Sequence, residues 1–309
     1  MKKISVFMLL CFLFTTVISA QKPLWQGKGR IAISSDGNVH DEDDWAASPM
    51  MLALLAAKDM QDKLAVYTYC DHIWEGSSDR AGFNGYAEMQ ESVLKGKELF
   101  NFTKSRFVCA VDDPEKAYNA LCDEINKSSK RNPLIIIAAG PMQVVGEGIN
   151  RAKKEKRQYV TIITHSEWNN NHSGKDHEKY KNSHEGWSFE NIIHAFSSAE
   201  GGRLMCIQIS DQNGGERDAN GKQRFEGLYV KKSRFSWLLT SEARNKPPYT
   251  PGSWEWLYSR LERSDKNQHN NFDASDAGML LYVLTGSDLT NPDMIREIME
   301  HPSQTKTKP

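Results

Sequence analysis

Six short apolar runs, separated by stretches of helical composition, constrain this chain more than any other feature. They cover residues 30–35, 63–70, 106–111, 133–140, 159–166 and 204–209. A strand with one wet face alternates apolar and polar residues. A nearly continuous apolar run of this length reads instead as a strand buried on both faces. Helix candidates fall at 45–59, 85–100, 114–128 and 142–155, between the runs. Parallel neighbours need crossover connections, and helices supply them. The expected fold is therefore α/β: an open, mainly parallel sheet with helices on both faces. Three more helix candidates follow at 253–263, 274–284 and 293–300, among polar loops. With no internal repeat and no Pro/Gly/Ser-rich linker, residues 21–309 read as one domain. The tail, 302–309, is expected to be disordered.

Residues 1–20 are expected to lie outside that domain. Lys2 and Lys3 precede an apolar stretch from Ile4 to Val17, and Ile18-Ser19-Ala20 ends on a small residue. That is the pattern of a secretory signal peptide, so the expected location is secreted or periplasmic. No later run is long and apolar enough for a membrane span. The formal net charge of −1 comes with no basic stripe, which argues against a nucleic-acid polymer as partner. Cys70, Cys109, Cys122 and Cys206 are scattered without a C-x-x-C pair, so neither a zinc knuckle nor a thioredoxin-like site is expected. Neither G-x-S-x-G nor G-x-G-x-x-G occurs, which leaves a serine hydrolase or a dinucleotide enzyme without support.

The chemistry concentrates just after the first run. Asp36-Gly37-Asn38-Val39-His40-Asp41-Glu42-Asp43-Asp44 holds five acidic residues in nine positions. Open α/β sheets bind ligands at the carboxyl ends of their strands. Like charges gathered there are costly unless a cation neutralises them, which points to a hard metal ion. The competing reading is a solvated acidic turn at a helix N-terminus, with Ser48-Pro49 as N-cap and first helical residue. Long loops at 71–84, 167–188 and 211–227 also follow strand ends. With their strand ends they carry His72, Trp74, His165, Trp168, Asn169, Asn170, Asn171 and Trp187. Amides, imidazoles and aromatic rings suit a polyhydroxylated ligand. A rival zinc site would use His165, His172, His177 and His184, but their spacing is not that of H-E-x-x-H.

Three segments, in order, carry a family resemblance. They are Asp36-Gly37 followed by Asp43-Asp44-Trp45-Ala46, then Gly140-Pro141-Met142-Gln143, then Asp276-Ala277-Gly278-Met279-Leu280-Leu281. Together they resemble the inosine-uridine nucleoside hydrolases. The resemblance implies one Ca²⁺ held by Asp36, Asp44, Asp276 and the backbone carbonyl of Gln143. It implies Asp36 as general base toward water, and Asp43 as acceptor of a sugar hydroxyl. His184 to Asn191 is the nearest counterpart of the family's A-E-F-N segment, so Glu190 and Asn191 are candidate sugar-binding residues. His72 stands where the family places an Asn after its second strand.

The departures are specific. Asp36 lies seven residues before Asp43, where the family spacing is four, so His40, Asp41 or Glu42 could replace a family ligand. Ser34 stands in place of the first Asp of D-x-D. The resulting expectation is a secreted, Ca²⁺-dependent hydrolase of glycosidic bonds. Its substrate is an N-riboside, or an oligosaccharide or O-glycoside from polysaccharide breakdown. A non-catalytic carbohydrate-binding protein on the same scaffold is the alternative, with a metal-assisted lyase or phosphoester hydrolase behind it. The resemblance leaves a homo-oligomer open.

Overall fold

A computed structural model describes residues 22–38, 42–70, 79–80, 83–171, 186–265 and 268–303. Six strands form one open, wholly parallel sheet: β1 (Arg30–Ser35), β2 (Leu64–Tyr69), β3 (Arg106–Cys109), β4 (Leu134–Ala139), β5 (Val160–Thr164) and β6 (Met205–Gln208). Their order across the sheet is β3-β2-β1-β4-β5-β6, with parallel pairing at every step. The chain winds outward from β1 to β3, then returns to the other side of β1 and winds the opposite way. The connections at the carboxyl ends of β1 and β4 therefore diverge to opposite faces and open a crevice between them. This is the topological switch point at which such sheets bind ligands.

The apolar runs explain why both faces are covered. Ile31 and Ile33 of β1 enter one core with Tyr67, Ile135, Ile137 and Ile163, while Ala32 enters a second with Val66, Val108, Leu134 and Ile136. Helices α2 (Pro114–Asn126), α3 (Gln143–Arg151) and α4 (Phe189–Phe196) close the second core through Leu121, Ile149 and Ile192. The first core is covered by α1 (Asp44–Ala57), α5 (Ser253–Arg263), α6 (Ala277–Thr285) and α7 (Pro292–Glu300). Every residue of α1 is buried. A helix apolar on all sides belongs inside, and this one lies between the sheet and the C-terminal helices.

Helix α1 begins at Asp44, not at Pro49, so the reading with Ser48 as N-cap fails. Pro49 sits in the helix interior, where it lacks the N–H that would bond the Trp45 carbonyl. Ser92 Oγ donates to that carbonyl instead, at 2.6 Å. Ser92 comes from the expected helix at 85–100, which is realised as Gly85–Gln90 and Gly96–Leu99 joined by a π turn at Glu91–Lys95. The expected helix at 142–155 ends at Arg151, because Ala152 turns to extended backbone before the short helix Lys154–Arg157. An antiparallel pair, Tyr229–Lys231 with Asn271–Asp273, lies in the region read as polar loops. Of the tail expected to be disordered, Ser303 is held by its amide, which donates to the Ala57 carbonyl at 2.7 Å, and residues 304–309 lie outside the described residues. No helix among the described residues is long and apolar enough to cross a membrane.

Candidate functional site

Asp36 is the first residue past β1, and the backbone on either side of it is pinned. Its carbonyl accepts from the Cys70 amide at the end of β2, at 3.1 Å. The next carbonyl, Gly37, accepts from Trp45 Nε1 at 2.6 Å, so the first turn of α1 holds the acidic turn that precedes it. Gly37 has φ +82°, and a Cβ there would stand 2.6 Å from Met89 Sδ. Only glycine fits that position without strain.

The neighbouring strand sets where the Asp36 side chain lies. Gly140 follows β4 with φ +95°, and a Cβ on it would come within 2.0 Å of Asp36 Oδ1. The carboxylate is therefore packed on the bare Cα of Gly140, across the switch point. Asp36 itself has 0% exposure.

Asp36 shares a cavity of about 280 Å³ with Asp43, Gly140, His165, Asn169 and Asp276. Each residue comes from a carboxyl-end connection or a helix start. Asp43 is the N-cap of α1; its backbone carbonyl accepts from the Ala46 and Ala47 amides, and its Oδ2 accepts from Ser275 Oγ at 3.4 Å. Asp276 is the N-cap of α6 but makes no side-chain cap bond to that helix. Its Oδ1 lies 2.5 Å from His165 Nε2 instead. On the far side of the ring, Asp211 Oδ1 lies 3.4 Å from Nδ1. Burial alone would strip the proton from His165, but the Asp211 and Asp276 carboxylates on its two nitrogens overcome that and push its pKa up to about 10. Both ring nitrogens of His165 face a carboxylate, and Nδ1 also lies 3.4 Å from the Gln212 amide.

The expected residues divide as follows. Asp36, Asp43 and Asp276 reach one cavity. Asp44 is buried against Gly37 and is not on the cavity wall. Gln143 opens α3, and its side chain is engaged elsewhere: Nε2 donates to the Tyr118 hydroxyl at 3.3 Å and Oε1 accepts from the Trp187 amide at 3.0 Å. Asn191 is spent on a capping box with Ser188, and Glu190 is exposed in the first turn of the same helix. Neither lines the cavity. Asn191 thus has a structural task where a sugar contact was expected. His72, and the candidate substitutes His40 and Asp41, lie outside the described residues, as do His172, His177 and His184.

Asp211, Asn213 and Ser275 were not singled out from the sequence. Asp211 opens the loop after β6, which was the available signal.

Among the described residues, no group of three or more His, Cys, Asp or Glu side chains stands close enough to hold a metal ion. The donor chemistry nonetheless suits a hard cation. Asp36, Asp43 and Asp276 are buried carboxyl groups on this cavity, and Glu42 and Asp44, on either side of Asp43 in the chain, are buried as well; oxygen donors of this kind are what Ca²⁺ takes. Cys70 is no nucleophile: burial, its contact with Cys109 and the charges of Asp36 and Asp44 push its thiol well up. A larger groove, about 630 Å³, is lined by Glu88, Glu91, Trp256 and Arg260 and contains no strand-end residue. The strand-end cavity is the candidate site because topology and charge coincide there.

Comparison with known proteins adds one relative. An uncharacterized protein, P22, of Formosa agariphila is 29% identical to this chain over 280 residues, covering 88% of this chain and 89% of that protein. No family model matches the chain, and no solved structure matches it.

Proposed function

We propose that the chain is an exported hydrolase of glycosidic bonds. The observation that carries this reading is the convergence of Asp36, Asp43 and Asp276 on one cavity at the sheet's switch point. Asp36, fixed by the Cys70 amide and the Gly140 Cα, accepts the proton of the attacking water. Asp43 accepts a hydroxyl of the sugar. His165 holds Asp276 in place from behind.

Calcium belongs to the proposal. The resemblance assigns it to Asp36, Asp44, Asp276 and the Gln143 carbonyl, and of these Asp36 and Asp276 reach the cavity. A bound divalent cation polarises water and fixes neighbouring hydroxyls. The leader-like pattern of residues 1–20 supports a secreted or periplasmic location, where a sugar or oligosaccharide is the expected substrate. The test is a hydrolysis screen over nucleosides and neutral glycosides, with Asp36→Asn as the control. Cleavage by the wild type and loss in the variant supports the reading; equal rates in both remove Asp36 from the chemistry.

A second reading, a non-catalytic carbohydrate-binding protein, is favoured by the complete burial of Asp36. Calorimetry that shows sugar binding without turnover in any condition would select it.

A further inference from the structure

A second cavity, about 690 Å³, adjoins the first and shares Ser166 and Trp168 as common walls. The Asp36 cavity alone lies just under the usual size range for small-molecule sites, and its neighbour lies well within it. Two further observations point to a ligand that crosses the shared wall. Asn169 is 4% exposed, its Nδ2 donates to Thr164 Oγ1 at 3.1 Å, and its Oδ1 accepts no hydrogen bond among the described residues. Asn169 belongs to the wall of the first cavity. A buried amide oxygen costs stability unless something donates to it. Beside it, Trp168 is 37% exposed, an apolar ring on a wet wall between two cavities.

Among the described residues, the second cavity is lined by Glu167, Asp211, Glu216 and Asp288 together with Gln208 and Ser210, and by no Lys or Arg. Some of these carboxylates are already engaged. Ser210 Oγ donates to Asp288 at 2.9 Å, Glu216 pairs with Arg224, and Asp211 faces His165. Among the described residues, the remaining lining is still rich in acceptors, and its neighbouring cation, Arg224, is taken up by Glu216. Ionised carboxylates only accept hydrogen bonds, so hydroxyls and ammonium groups suit them and a second carboxylate or a sulfate does not.

We propose that this second cavity is a sugar subsite contiguous with the Asp36 cavity, and that it takes a neutral or amino-bearing unit. Resting on the hydrolase reading, it makes the substrate an oligosaccharide of at least two units. Trp168 stacks on the ring that straddles the shared wall. An N-riboside would leave the second cavity unfilled, so the proposal favours the oligosaccharide branch.

The test is titration calorimetry on the full chain with matched monomers and trimers: glucose with cellotriose and maltotriose, glucosamine with its β-1,4 trimer, and galacturonate with its α-1,4 trimer. A neutral or amino trimer should bind about tenfold or more tighter than its monomer, and the uronate trimer should show no such gain. Trp168→Ala should abolish most of the length advantage. Glu167→Lys, at an exposed position on the second cavity alone, should raise uronate-trimer affinity without changing the melting temperature. Equal affinity for monomer and trimer, or a uronate trimer preferred by the wild type, overturns the subsite. Cleavage of a nucleoside with no trimer bound would overturn it while sparing the hydrolase reading. Sugar binding with the length effect but no cleavage of any glycoside would instead sink the hydrolase reading and spare the subsite.

Discussion

Single residues of the site are held by contacts that sequence spacing cannot show. Asp36 was legible from the acidic turn that follows the first apolar run, and Asp43 and Asp276 from the family resemblance. The packing of Asp36 on Gly140 was not, since it follows from β1 and β4 being neighbours although about a hundred residues separate them. Asp211 and Ser275 escaped notice for the same reason: their roles exist only through His165 and Asp43. Gly140→Ala should be among the most damaging small changes in the chain. The added methyl meets the Asp36 carboxylate, and φ +95° disfavours any side chain. A destabilisation of about 1–3 kcal/mol is expected from overpacking alone, read as a lower denaturant midpoint. Wild-type stability in that variant would show that the turn yields without strain. Trp45→Phe should cost about 1 kcal/mol for the lost donor to the Gly37 carbonyl, plus a cavity cost from the smaller ring at this buried site. Thermal unfolding of the two proteins side by side measures it.

Among the elements, α1 ties the site to the core. The apolar runs made the six strands and most helices readable, because continuous burial leaves a composition that solvent exposure would not permit. What remained hidden was how the interior proline of α1 is tolerated. The Trp45 carbonyl loses its helical partner at Pro49, and Ser92 supplies another from the π turn. Ser92→Ala should therefore cost about 1–3 kcal/mol by leaving a buried carbonyl unsatisfied. Part of that cost belongs to Arg260, whose Nε donates to the same hydroxyl at 2.9 Å. Pro49→Ala restores an N–H that can reach the Trp45 carbonyl, so Ser92→Ala should cost less in that background. A double-mutant cycle on denaturant unfolding reads the difference, and strict additivity would refute the proposed compensation.

For the whole molecule, the sheet order gathers loops from four strands and the start of α6 over one crevice. The acid-rich crevice is the reason calcium is part of the proposal. Added Ca²⁺ should raise the melting temperature and EDTA should lower it, since a ligand that binds only the folded state stabilises it. Asp44→Ala and Asp276→Ala should each remove that response. A calcium response unchanged in both variants would place the ion elsewhere.

The central claim, that Asp36 is the base of a glycosidic hydrolase, is tested most directly by turnover of Asp36→Asn on whichever glycoside the wild type cleaves. Asp41→Asn runs beside it, because the longer acidic turn makes Asp41 the substitute candidate. The account predicts that Asp36→Asn keeps its fold and its sugar binding while turnover falls by roughly 10²–10⁴-fold. Turnover at the wild-type rate in Asp36→Asn, with collapse in Asp41→Asn, would contradict it.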